Sequence, residues 1–212
     1  MKPFRGLYGM VDVPPSGGGV PAGRLARALL DGGARIMQLR MKGATAAALA
    51  AVCDELRPLC RARDVLFIVN DRLDVALAGG ADGVHLGQDD LPLAAAKRVA
   101  PAGFAIGVST HNEAQARAAA EGGADYIAFG PCFPTSSKVD PDPVVGLAAL
   151  RAICALPLPV VAIGGITLDT VGDVVRAGAY AAAIIRAVNS APDVAAAARA
   201  VTSAFATDSP SR

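Results

Sequence analysis

Apolar residues along this chain come in short runs, separated by Ala-rich stretches in which they recur at helical spacing. The short runs predict eight strands, at residues 6–13, 34–40, 66–70, 83–87, 104–110, 126–130, 159–166 and 181–188. The stretches between and after them predict helices at 21–32, 45–63, 72–78, 93–99, 112–121, 145–155, 169–177 and 193–204. Strand and helix in strict alternation imply a parallel sheet with helical crossovers. A second periodicity agrees. Gly32-Gly33, Gly79-Gly80, Gly122-Gly123 and the single Gly178 each precede an Ala and then a predicted strand. Glycine is the residue that lets a helix end in a left-handed turn, so these positions read as helix C-caps.

This punctuation marks a repeated βα unit. Eight units can close into a barrel, whereas a doubly wound sheet usually has fewer strands. The expected fold is therefore α/β, a single-domain (β/α)8 TIM barrel over residues 1–206, with a disordered tail at 207–212. Pro14-Pro15-Ser16-Gly17-Gly18-Gly19 reads as a flexible loop after the first strand, and no linker divides the chain.

Composition narrows the picture. At 212 residues and 53% hydrophobic, the chain can build one large core. It has no Trp and only 4% aromatics, so that core is mostly Ala, Val, Leu and Ile. The 20 basic and 19 acidic residues leave a net charge of +1, too little for a general nucleic-acid field, so any anion must meet a local cluster. The opening MKPFRGLYGM lacks an apolar signal core. The uncharged stretch between Arg151 and Asp169 is broken by Pro157, Pro159 and Gly164-Gly165, and falls short of the ~20 apolar residues of a membrane span. Cys53, Cys60, Cys132 and Cys154 form no C-x-x-C pair; Cys53 and Cys60 fall on one helix face, as buried core thiols would in a reducing cytoplasm. A homo-oligomer is compatible with this sequence but not read from it.

Polar residues at strand ends are the candidates for chemistry, because barrel active sites lie there and inward side chains are otherwise apolar. On the second strand, Gln38, Arg40 and Lys42 share one face, opposite Met37, Leu39 and Met41. Three polar groups on an inner face are costly unless a ligand meets them, and Arg beside Lys suits a diphosphate. The bland alternative is a solvated strand end. Asn70-Asp71 and Asp90 end the next two strands, and one carboxylate from each loop suits Mg2+ shared with phosphate oxygens. Otherwise Asp71 would cap the following helix and Asp90 would sit in a turn before Pro92. His85 is either a hydrogen-bonded core residue or a contact to a heterocycle, while His111 fits a helix cap. Ser109, the hydroxyl-rich loop carrying Thr135, Ser137 and Lys138, and the Gly164-Gly165 turn all offer phosphate donors.

In order and spacing, these pieces resemble the thiamine-phosphate synthase family. They are Gln38-Leu39-Arg40-x-Lys42-Gly43, Asn70-Asp71, Gly83-Val84-His85-Leu86-Gly87-Gln88-x-Asp90, Gly107-Val108-Ser109, Gly130-x-x-x-Pro134-Thr135-x-Ser137-Lys138 and Gly164-Gly165-Ile166. The resemblance runs from about Leu7 to Val188. It implies a transferase that joins hydroxymethylpyrimidine diphosphate to thiazole phosphate, or its carboxylated form, and releases diphosphate. It implies Gln38, with His85 near it, at the pyrimidine; Arg40, Lys42, Asn70, Ser109 and Lys138 on the diphosphate; and Asp71 and Asp90 holding a Mg2+ cofactor. Thr135, Ser137 and the Gly165 backbone would then meet the thiazole phosphate, with the Ile185-Arg186 segment at the same pocket, where Arg186 either strengthens phosphate binding or fills the space. Arg40, Lys42, Ser109 and Lys138 would carry catalysis by stabilising the leaving group.

The chain departs from the family's usual pattern at Ile185-Arg186-Ala187-Val188, where a Ser is common, and at Tyr180-Ala181 and Met41. Two other readings share the barrel: a thiazole tautomerase with His111 as proton shuttle, and a non-catalytic paralogue that binds a thiamine precursor.

Overall fold

The computed structural model describes residues 4–14, 20–135 and 142–206. Most of the expected loop after the first strand, Ser137, Lys138 and the tail expected at 207–212 lie outside the described residues. Eight parallel strands close in chain order: β1 (Gly6–Asp12), β2 (Ile36–Arg40), β3 (Leu66–Asn70), β4 (Gly83–Leu86), β5 (Ala105–Thr110), β6 (Tyr126–Phe129), β7 (Val160–Ile163) and β8 (Ala181–Ala183). Gly6 of β1 pairs with Ala181 and Tyr8 with Ala183, so the barrel has no open edge. Around it run α1 (Ala22–Asp31), α2 (Ala46–Arg61), α3 (Leu73–Ala78), α4 (Leu93–Val99), α5 (Glu113–Glu121), α6 (Gly146–Ile153), α7 (Val171–Arg176), the one-turn α8 (Arg186–Asn189) and α9 (Val194–Ala206).

The two-residue period of the strands sorts the core into two layers. Outward residues such as Leu7, Val11, Met37, Leu39, Phe67 and Val69 pack against the helices. Inward residues such as Tyr8, Met10, Ile36, Ile68, Tyr126 and Val161 fill the barrel. On the helix side, α2 buries Leu49, Cys53, Leu56 and Cys60, a stripe at spacings of three and four. Cys53 and Cys60 are thus core thiols, as expected. Leu56 is fully buried, and truncation to Ala would cost about 2–5 kcal/mol.

The glycine punctuation has a common geometry. After α1, the Gly33 N–H reaches Leu30 O and the Ala34 N–H reaches Leu29 O, with Gly33 at φ +90°. The same pair of bonds closes α3, α5 and α7, each with a left-handed glycine at the second position.

Two strand predictions fail at their ends. β7 stops at Ile163 because Gly164 and Gly165 both turn to positive φ. β8 stops at Ala183, and Arg186 opens α8 instead of continuing a strand. A short apolar run does not distinguish strand from buried helix, and here one run serves both.

Candidate active site

The C-terminal strand ends surround a cavity of about 730 Å3, a size suited to a small-molecule ligand. Gln38, Arg40, Lys42, Asn70, Asp71, His85, Asp90, Ser109, Thr135, Gly165, Ile185 and Arg186 all line it.

The β2 wall follows strand parity. Gln38 is buried at the floor, Arg40 is half-buried above it and Lys42 is exposed at the rim. Arg40 is not a lone cation, because its Nη1 donates to Asp12 Oδ1 at 2.6 Å. Asp12 ends β1 directly opposite Arg40 in the parallel register. A partly exposed pair adds at most ~1 kcal/mol to stability, so its main effect is to aim the guanidinium. The sequence reading missed Asp12, although its parity with Tyr8 and Met10 on β1 marked it as inward.

Asp71 and Asp90 meet at the neighbouring strand ends. Asp71 adopts φ +63° and its N–H bonds His85 O at 2.8 Å. Arg72, not Asp71, occupies the N-cap of α3, so the helix-cap alternative for Asp71 fails. Asp90 does close a turn, since its Oδ2 accepts the Gly87 N–H at 2.6 Å. Burial raises the Asp71 carboxyl to about 6, the hydrogen bond and charge of Asp90 push the same way, and Lys42 and Arg40 oppose them. With Asp90 beside it adding to the cost of charging Asp71, the site favours a proton or a cation between the two carboxyls. Among the described residues no group of three or more His, Cys, Asp or Glu side chains could hold a metal. The pair fits Mg2+, which uses one or two carboxylates and takes its other ligands from phosphate and water.

The floor of the cavity is polar in a way the sequence reading did not foresee. Gln38 Nε2 donates to Tyr8 Oη at 2.9 Å, and the Tyr8 and Tyr126 hydroxyls are 2.8 Å apart. The Tyr126 hydroxyl lies 3.1 Å from His85 Nδ1, and His85 Nε2 lies 2.9 Å from Ser109 Oγ. Both ring nitrogens of His85 are therefore used inside the barrel. Burial lowers its pKa to about 4, so the ring is neutral at physiological pH. Gly107 makes room for this arrangement: a Cβ there would fall 2.1 Å from Tyr126 Cζ. Inward parity on β1 and β6 was the signal for Tyr8 and Tyr126.

The opposite wall is built from backbone. Cys132 N–H bonds Ile163 O at 2.9 Å and Phe133 N–H bonds Gly164 O at 3.0 Å, stitching the loops after β6 and β7 together. Gly165 lies so close to this seam that a Cβ would meet Pro134 O at 2.4 Å. His111 does not cap α5, a role taken by Asn112. His111 Nδ1 instead lies 2.8 Å from Gly130 O and 3.5 Å from Asp142 Oδ2. Ile184, Ile185 and the exposed Arg186 complete the wall at the start of α8.

A closed (β/α)8 barrel with cations, paired carboxylates and glycine turns around one cavity defines a barrel protein with a site for anionic small molecules. Comparison with known proteins is more specific. The family model described as thiamine monophosphate synthase matches residues 19–188. The thiamine-phosphate synthase of Methanospirillum hungatei JF-1 is 52% identical over 177 residues, covering 83% of this chain and 86% of that protein. The thiamine-phosphate synthase of Methanoregula boonei is 52% identical over 184 residues, covering 86% and 85%. The solved thiamine phosphate pyrophosphorylase from Pyrococcus furiosus superposes with a TM-score of 0.85 at 38% identity, covering 95% of each chain. The chain belongs to the thiamine monophosphate synthase family.

Proposed function

We propose that the protein joins hydroxymethylpyrimidine diphosphate to thiazole phosphate, giving thiamine phosphate and diphosphate. The observation that carries this reading is the convergence of Gln38, Arg40, Lys42, Asn70, Asp71, Asp90 and Ser109 on one cavity in a chain about half identical to enzymes of that name. Gln38 meets the pyrimidine at the cavity floor. Arg40, Lys42, Asn70, Ser109 and Lys138 bind the diphosphate. Thr135, Ser137, the Gly165 backbone and the Ile185-Arg186 segment take the thiazole phosphate.

The bond from the pyrimidine methylene to diphosphate oxygen breaks, and the electron pair leaves with diphosphate. The electron-rich aminopyrimidine stabilises the methylene cation, and the thiazole nitrogen then attacks it. No protein nucleophile is required. The chain's contribution is to hold both substrates in line and to place fixed positive charge where the leaving group gathers negative charge. Asp71 and Asp90 would hold Mg2+, which when bound neutralises part of the diphosphate charge. We place this reaction in the cytoplasm, on small molecules and without nucleic acid or membrane. No helix among the described residues is long and apolar enough to cross a membrane.

The test is diphosphate release and thiamine phosphate formation by purified protein given both substrates and Mg2+. Both products should appear together and vanish when chelator is added. A folded protein that makes neither, or makes them equally well in chelator, would refute the corresponding part of the proposal.

A further inference from the structure

Five inward side chains from five strands form one unbroken hydrogen-bonded line across the barrel: Gln38, Tyr8, Tyr126, His85 and Ser109. We infer that this line has a fixed direction, so that His85 is its Nε2–H tautomer and the Ser109 hydroxyl is turned into the cavity as a donor to an anion. Tyr8 and Tyr126 are then positioning residues for a group they do not themselves touch. The identities of the anion as the substrate's diphosphate and of the heterocycle at Gln38 as its aminopyrimidine rest on the proposed function; the direction of the line rests on the Gln38 amide donating to Tyr8 and on the hydrogen count.

The argument is a count of hydrogens. Tyr8, Tyr126, Gln38 and His85 are each at most 6% exposed, so a hydrogen without an acceptor there is costly. Each phenol has one hydrogen, and so does a neutral imidazole. Gln38 Nε2 donates to Tyr8. Tyr8 must then donate to Tyr126, and Tyr126 to His85 Nδ1. The remaining ring hydrogen sits on Nε2 and goes to Ser109 Oγ, which leaves the Ser109 hydrogen free to point outward. Any single link reversed strands one hydrogen in the barrel. The line therefore switches as a whole or not at all.

The opposite direction requires the Gln38 amide to be turned over, with its oxygen towards Tyr8. Ser109 would then spend its hydrogen on His85 and show only lone pairs to the cavity. That is the wrong polarity beside Arg40 and Lys42, which gather anions there. With Nε2 towards Tyr8, Gln38 instead shows the cavity its Oε1 and one N–H. This acceptor–donor edge complements the amino group and adjacent ring nitrogen of an aminopyrimidine. The two ends of the line thus select the same direction: an amino heterocycle at Gln38 and an anion at Ser109 each favour the other. The coupling explains why an aliphatic barrel keeps two buried tyrosines and a buried histidine.

The decisive experiment reads the tautomer directly. The chain has two histidines, so long-range 1H–15N spectra of the labelled protein hold two imidazoles, and the His111→Gln protein identifies His85. His85 should show the Nε2–H pattern at pH 7. The Nδ1–H pattern would overturn the inference. The second arm is binding of inorganic diphosphate to wild type, Ser109→Ala, Tyr126→Phe and the double variant, with Tyr8→Phe as a further break in the line. Each single change should weaken binding about tenfold, and the double should lose little more than one of them. Effects that multiply would mean that Tyr126 does not act through Ser109. Neither arm needs turnover, so a correct tautomer in an inactive protein would refute the proposed function and leave this inference standing.

Discussion

The two walls of the cavity are made by different means. The wall over β2 to β5 presents side chains set by strand parity: Gln38 and Arg40 on one strand, then Asn70, His85 and Ser109 on the next three. Those side chains are aimed by other side chains, as Asp12 aims Arg40. The wall over β6 to β8 presents backbone and loop. Its strands are only three or four residues long, and its shape comes from seams such as Phe133 N–H to Gly164 O. Chemistry assigned to the first wall is easy to abolish without unfolding the protein. The second wall should resist charge changes and yield to changes of shape.

The largest contrast should come from Arg40→Ala, with an expected loss of 10²–10³ in kcat, as for removal of one transition-state donor. Its melting temperature should hardly move, because the pair it breaks is partly exposed. A comparable loss of stability would mean that Arg40 is mainly structural.

Gly165→Ala should do the reverse. The new Cβ meets Pro134 O in a left-handed backbone, so the seam must open, at a cost of about 1–3 kcal/mol. KM for thiazole phosphate should rise about tenfold, with diphosphate affinity unchanged. Equal damage to both substrates would erase the distinction between the walls.

Asp71 sharpens the comparison through pH. Its folded pKa of about 6 lies above the ordinary 3.8, so the folded state holds the proton more tightly than the unfolded chain. Without metal, stability should fall as pH rises from about 4 to about 6 and level off above. Asp71→Asn, which tolerates the left-handed backbone, should raise the melting temperature of metal-free protein at pH 8 by ~2–4 °C while removing activity. Added Mg2+ should protect wild type more at pH 8 than at pH 5, and Asp71→Asn little at either. A melting curve indifferent to pH and Mg2+ would separate Asp71 from any metal role.

The smallest effect is expected at Arg186→Ser. An exposed cation at the cavity mouth contributes at most ~1 kcal/mol, or about fivefold in KM for thiazole phosphate, with kcat kept. A larger loss would make Arg186 a principal phosphate ligand.

The same division explains what could be read in the chain. Gln38, Arg40 and Lys42 were legible because alternation on a strand is a local rule, and polar residues on an apolar face stand out. The Asp71–Asp90 contact was legible only as two loops expected to be neighbours. Asp12 was overlooked because one acidic residue at a strand end has many bland explanations. Tyr8 and Tyr126 were overlooked because a tyrosine in an apolar strand looks like core until its hydroxyl has a partner.

By itself the sequence determined the repeat of strand and helix, the left-handed glycine that ends four of the helices, and the residue types on each inward face. These follow from periods of 2 and 3.6 and from glycine's missing Cβ, all of which act within a few residues. Only the tertiary structure decided that β8 yields to a helical turn after Ala183, that Asp12 meets Arg40, and that five side chains join into one line across the barrel. Those outcomes depend on barrel closure and strand register. Closure brings Tyr8 within 2.8 Å of Tyr126 across 118 residues of chain, a separation no local pattern encodes.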